Sequence, residues 1–172
     1  MIEKRMTISV LLRYLLIAIA VFLTTACVGM PERNAPERAL SATEQTIIYT
    51  SMQLIGVPYR YGGASLEGVD CSGLVQLAYN NAGIRVPRTS REQYRQSKRV
   101  HPTRIKPGDL VFFRLQSRKI SHVGIYIGNK RFIHAPRTGK NVMYASLENP
   151  FWKKRYAGAG RFKILNNTIV DL

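Results

Sequence analysis

Between Glu44 and Ile55 the apolar positions Ile47, Ile48, Met52 and Ile55, together with Ser51, fall on one side of a helical wheel, and Gly56 follows as a stop. The next segment, Val57-Pro58-Tyr59-Arg60-Tyr61-Gly62-Gly63, cannot continue a helix, because proline lacks the amide donor and paired glycines break the period. A second helix is predicted from Cys71 to Asn81: Leu74, Val75 and Ala78 keep helical spacing, Asp70 is a good N-cap and Gly83 a suitable terminator. Thr89-Ser90-Arg91-Glu92, just after Pro87, signals a third helix opened by a capping box. Beyond Pro107-Gly108 the period falls to two. Strands are predicted at 110–113, 123–127, 132–135 and 157–162, with Gly128-Asn129-Lys130 turning the middle two into a hairpin. Helices followed by strands define an α+β class, with N-terminal helices packed on a central antiparallel sheet.

Alternation in the strand beginning at Ser121 sends His122, Gly124 and Tyr126 to one face and Val123, Ile125 and Ile127 to the other. The branched aliphatic face is assigned to the core, which leaves His122 on the side that could meet Cys71. Facing residues of an antiparallel hairpin have numbers with a constant sum, so positions 122 and 134 share a face only when that sum is even. A two-residue loop at 128–129 or 129–130 does not give an even sum. An irregular or bulged turn is therefore expected if His134 is to support His122.

The 172 residues, 45% of them apolar, suffice for one domain behind a targeting segment. Lys4, Arg5 and Arg13, an apolar run from Tyr14 to Leu23 and then Thr24-Thr25-Ala26-Cys27 read as a secretory signal over 1–26. Ala26-Cys27 resembles a bacterial lipobox, although Leu23 stands four residues before the cysteine where three is usual. That resemblance implies acylation of Cys27 and a lipid anchor on the periplasmic face of the outer membrane; ordinary cleavage near Ala26 is the alternative. Residues 27–43, with Pro31 and Pro36 among charges, form the expected tether. The domain is expected over 44–165 and a tail over 166–172.

A formal net charge of +16 calls for an anionic partner. Nucleic acid is the generic one, but an exported chain does not meet it and no aromatic-interleaved binding motif is present, so cell wall or lipid head groups are expected instead. The densest basic stretch, Arg85, Arg88, Arg91, Arg95, Lys98, Arg99, Arg104 and Lys106, reads equally as a solvated helix face with its loop or as a surface that attracts substrate carboxylates. His101 is given no function.

Cys71, His122 and His134 supply a thiol and two imidazoles, the parts of a cysteine hydrolase. Placed in the first turn of a helix, Cys71 is expected to have its thiol pKa lowered into the range of about 3.5–7.5 by backbone N–H groups, the dipole and a neighbouring imidazolium. It is expected to be a free thiol, since Cys27 has its own covalent fate. No second cysteine or carboxylate lies at ligand spacing, so no metal and no cofactor are expected.

These residues lie in longer stretches that carry a family resemblance: Pro58-Tyr59-Arg60-Tyr61-Gly62-Gly63, Asp70-Cys71-Ser72-Gly73-Leu74-Val75, Pro87-Arg88-Thr89-Ser90, Pro107-Gly108-Asp109-Leu110-Val111-Phe112-Phe113, His122-Val123-Gly124-Ile125-Tyr126-Ile127-Gly128 and Phe132-Ile133-His134-Ala135. From about Thr43 to Phe162 the chain resembles the NlpC family of bacterial cell-wall cysteine peptidases, which have a papain-like core, and its layout is similar to that of Spr-type murein endopeptidase lipoproteins. The resemblance implies that Cys71 is the nucleophile, His122 the general base and then acid, and His134 the group that orients His122. It further implies that the Tyr59 hydroxyl joins the Cys71 backbone N–H as an oxyanion donor, with Tyr61 a weaker candidate, and that Asp70 and Ser72 contact the substrate peptide. Peptidoglycan is the implied substrate. The competing readings are a non-catalytic wall-binding or adaptor lipoprotein and a related amidase or acyltransferase. Oligomeric state is not legible.

Overall fold

The computed structural model describes residues 39–116 and 118–162. The expected signal segment, Cys27, most of the expected tether and the expected C-terminal tail lie outside the described residues. Helix α1 (Ala42–Gln53) starts two residues before the position expected from periodicity, because Ser41 forms a capping box with Glu44. Its buried side chains are Ile47 and Ser51, whereas Met52 is exposed, and Leu54, just beyond the helix, is buried in its place. The segment after Gly56 is an extended strap rather than a free loop. It is held on one side by hydrogen bonds between Val57 and Val142 and from Tyr59 N–H to the Lys140 carbonyl, and on the other by bonds linking Pro58 and Arg60 to Val69. A short hairpin of β1 (Ala64–Ser65) and β2 (Gly68–Val69) then delivers the chain to α2 (Cys71–Asn81). Helix α2 has the bounds predicted for it, and Asp70 caps it by accepting from the Gly73 N–H at 2.7 Å.

Helix α3 (Ser90–Gln96) is capped by Thr89, whose hydroxyl accepts from the Glu92 N–H. The reciprocal half of the expected box is replaced by a bond from the Thr89 hydroxyl to the Glu92 carboxylate. The remaining elements are β3 (Lys98–Val100), β4 (Leu110–Phe113), β5 (His122–Gly128), β6 (Arg131–His134), β7 (Met143–Ser146), α4 (Pro150–Arg155) and β8 (Tyr156–Arg161). They build a fully antiparallel sheet in the order β3-β8-β4-β5-β6-β7. Strands β3 and β7 and helix α4 were not foreseen.

Both faces of this sheet are covered. Leu110, Phe112, Val123 and Ile125 pack under Val75, Ala78 and Tyr79 of α2 and Ile47 of α1. The opposite face carries Val111, Phe113, Phe132 and Ala159, packed with Trp152 and Tyr156. Each large side chain so buried contributes roughly 1.5–3 kcal/mol. The branched aliphatic side of β5 is core, as expected, and His122 sits on the opposite face, which is buried too, inside an aromatic layer. His122 is the first residue of β5, and it lines one cavity together with Cys71.

The β5–β6 hairpin solves the parity problem through a bulge. Asn129 and Lys130, with φ of 48° and 56°, make a two-residue turn between the paired Gly128 and Arg131. Between that pair and the next, Tyr126 with Phe132, β5 carries one residue more than β6. The register sum thereby becomes even, Ile125 faces Ile133, and His122 and His134 share a face.

Candidate active site

His122 and His134 are both 2% exposed, and His122 Nε2 lies 2.9 Å from His134 Nδ1 with the rings perpendicular. Trp152, from α4, stacks on His122 with ring centres 5.4 Å apart and planes 22° apart, and meets His134 edge-on at 4.8 Å. Phe113 and Phe132 line the other sides of the two imidazoles. Burial drives the pKa of His122 far below the ordinary imidazole value, with His134 adding to the effect, and burial alone lowers His134. Both rings are therefore neutral at pH 7. Trp152 was missed from the sequence; Asn149 followed by Pro150 at the first helical position was the available sign of its helix.

Cys71 is a free thiol of intermediate exposure, and its sulfur is within hydrogen-bonding reach of the Val123 N–H, the residue next to His122. Tyr59, Cys71 and His122 line one cavity of about 690 Å³. The thiol departs from expectation. Burial pushes it up to about 11, the Asp70 charge adds to the rise, and the N–H groups of Val123, Ser72 and Cys71 oppose it without prevailing. A helix N-terminus lowers a thiol pKa only when desolvation does not exceed its field. Burial thus favours the neutral form of both the Cys71 thiol and the His122 imidazole.

Asp70 does more than cap. Its carboxylate takes two hydrogen bonds from Arg88, at 2.9 and 2.6 Å, and others from the Gly62 N–H, the Gly73 N–H and the Ser72 hydroxyl. Burial works to raise this carboxyl, and Arg88 and Gly73 overcome it, so Asp70 stays ionised below the usual range. Arg88 also donates to the Ser72 hydroxyl at 2.9 Å. It is thus fixed in a network, unlike exposed Arg91 and Arg95 of the same basic stretch. Lys106 pairs with Glu44, and Arg99 covers the Tyr94 ring at 3.4 Å.

Tyr59 is half-buried, and its hydroxyl makes no hydrogen bond among the described residues. Burial first, and among its neighbours the Asp70 charge, raises its pKa, so it keeps its proton as a donor. Tyr61 is 88% exposed and does not line the cavity. His101 caps the 3-10 turn Pro102–Arg104, remote in sequence and in bonding from the cluster.

A cysteine at a helix N-terminus, set at the end of an antiparallel sheet that carries a buried histidine pair, defines a papain-like α+β protein. The chain belongs to the NlpC/P60 family, whose profile matches residues 56–161. It is 49% identical over 115 residues to murein DD-endopeptidase MepH of Escherichia coli K12, a match covering 64% of this chain and 42% of that protein. It is 46% identical over 107 residues to murein DD-endopeptidase MepS/murein LD-carboxypeptidase of the same strain, covering 62% and 56%. The matched region thus spans about half the length of these curated relatives. Among solved structures, an NlpC/P60 family protein from Bacillus cereus superposes with a TM-score of 0.65 at 36% identity, covering 69% of this chain and 39% of that one. The NlpC/p60 domain of the peptidoglycan hydrolase SagA gives 0.61 at 27%, covering 69% and 98%.

Proposed function

We propose that this protein is a peptidoglycan endopeptidase that hydrolyses amide bonds of stem peptides or cross-links through Cys71, His122 and His134. The observation that carries the reading is the shared cavity in which Cys71 and His122 are exposed to one another's chemistry, with His134 bonded behind His122. The murein endopeptidase relatives supply the substrate class.

In this reading the Cys71 sulfur attacks the amide carbon as its proton passes to His122, so the ion pair exists only once substrate is engaged. The negative oxygen of the tetrahedral adduct faces the Cys71 backbone N–H and the Tyr59 hydroxyl. The amine leaves with the proton held by His122. Water then attacks the thioester, giving a proton to His122 and returning Cys71 to the thiol. For His122 to accept at Nδ1, its Nε2 must carry hydrogen and donate to His134 Nδ1, which fixes the tautomer of both rings. A neutral His134 is suited to that duty, because a cation there would repel the transient imidazolium. Asp70 and Ser72, through Arg88 and the Gly62–Gly63 backbone, hold the peptide-binding wall beside the nucleophile.

Acylated Cys27 and the 27–43 tether would keep the domain at the periplasmic face of the outer membrane, near its wall substrate. Incubation of purified sacculi with the wild-type protein and with Cys71→Ala tests the enzymatic reading by the mass of released fragments. The wild type is expected to release soluble peptides bearing a new amine and a new carboxyl, and the variant none. Equal release by both proteins would remove Cys71 from the reaction; release by neither would favour the wall-binding alternative.

A further inference from the structure

The cavity lined by Cys71 and His122 is also lined by two cations, Arg137 and Arg155, and no aspartate or glutamate is among its described lining residues. The contrast with neighbouring basic groups is direct: Arg88 is paired with Asp70, Lys106 with Glu44, and Arg161 with Asp109. Arg155 is held in place without being neutralised. Its Nη1 donates to the Phe151 carbonyl at 3.1 Å and its guanidinium carbon lies 3.8 Å from the centre of the Phe151 ring, and its other donors have no hydrogen bond or ion pair among the described residues. The Arg137 side chain has no hydrogen bond or ion pair among the described residues. Its backbone is fixed nonetheless, since the Arg137 carbonyl accepts from the Lys140 N–H, and the Lys140 carbonyl accepts from the N–H of Tyr59. Burial holds His122, the described histidine of the lining, toward its neutral form. Two like charges lining one cleft favour an anion in the space they share, and exposed Arg137 can reach it from solvent.

We propose that Arg137 and Arg155 form a carboxylate-binding subsite, which takes a free carboxylate of the substrate peptide close to the amide under attack. This rests on the reading of the cleft as a peptidase site and specifies its substrate: an acidic peptide rather than a glycan or an amidated peptide. Guanidinium forks suit this duty, because two parallel N–H groups match the two oxygens of a carboxylate. Pro136, Phe151 and Trp152 line the same cleft and give the aliphatic part of such a peptide an apolar surface to lie on. Because the carboxylate is bound alike before and during attack, its contribution falls on KM more than on kcat.

The test is equilibrium binding to the inert Cys71→Ala protein of a synthetic stem peptide with all carboxylates free, and of the same peptide with each carboxylate in turn replaced by carboxamide. One carboxamide form is expected to bind about tenfold more weakly than the acid, the scale of a partly exposed charge-assisted contact. Adding Arg137→Gln and Arg155→Gln is expected to weaken binding of the acid form and abolish the discrimination. Adding Lys98→Gln, an exposed charge outside the cleft, is expected to preserve it. Equal affinity for every form, no binding at millimolar peptide, or discrimination that survives the double arginine substitution would overturn the subsite. Hydrolysis of the acid peptide by wild-type protein is read separately. Turnover with no carboxylate preference removes the subsite and keeps the peptidase, whereas a preference in binding without turnover removes the peptidase and keeps the subsite.

Discussion

Replacing His122 with alanine is expected to lower kcat/KM for peptide release from sacculi by about 10³–10⁴-fold, the range associated with loss of a positioned general acid–base that also activates the nucleophile. The size of the effect follows from the state of Cys71. With its thiol pushed up to about 11, only a very small fraction ionises spontaneously at neutral pH, so the proton must leave during attack to a base already in place. No other described histidine in the cavity lining can substitute, since His134 reaches the site only through His122. Deleting the ring also leaves His134 Nδ1 without its partner and uncovers a face of Trp152, so a modest loss of stability, about 1–3 kcal/mol, should accompany the catalytic one. Melting curves separate the two effects. A variant that stays folded and retains more than about a tenth of the activity would show that His122 is not the base.

The second large effect is expected at Gly73, the last residue of the Asp70-Cys71-Ser72-Gly73 stretch. Inside a helix, glycine to alanine ordinarily stabilises by about 1 kcal/mol. Here the added Cβ would lie 2.0 Å from the Gly63 carbonyl oxygen and 3.2 Å from Ala64 Cα, both backbone atoms that cannot swing away. Relief requires displacing the Gly62–Gly63 segment, which is bonded to Asp70 through the Gly62 N–H and the Gly63 carbonyl and to Arg88 through that same carbonyl. Gly73→Ala is therefore expected to destabilise by about 3 kcal/mol, lowering the melting temperature by about 10 °C, and to impair turnover by disturbing the wall beside Cys71. Differential scanning calorimetry decides the sign. An unchanged or higher melting temperature would mean that propensity outweighs the close approach and that the strap yields easily.

What was legible in the chain was what neighbouring residues decide among themselves. Helix α2 has its predicted bounds because Asp70, Leu74, Val75, Ala78 and Gly83 all act within a few turns of one another. The bulge in the β5–β6 hairpin was legible by a stronger route, since a parity constraint between two histidines left few turns that could satisfy it. The features that escaped were set by residues far apart. Trp152 lies thirty positions from the ring it stacks on, on a helix too short to show a period. Arg88 looked like one charge in a basic run, and only the fold brings it against Asp70. Strand β3 is short, exposed and basic, and β7 lacks alternation, so neither carried a strand pattern. The thiol is the clearest case. The helix N-terminus that favours a thiolate is local and readable, whereas the burial that outweighs it comes from tertiary packing.

In the proposed mechanism Cys71 rests as a neutral thiol and gives its proton to His122 only in the course of reaction. The rate of Cys71 alkylation by iodoacetamide as a function of pH tests it most directly, with the modified residue identified by peptide mapping. The rate is expected to climb steadily, about tenfold per pH unit from about pH 7 to 10, with no plateau below that range. A fast, flat plateau from about pH 5 to 8 would instead reveal a standing thiolate–imidazolium pair and contradict the account.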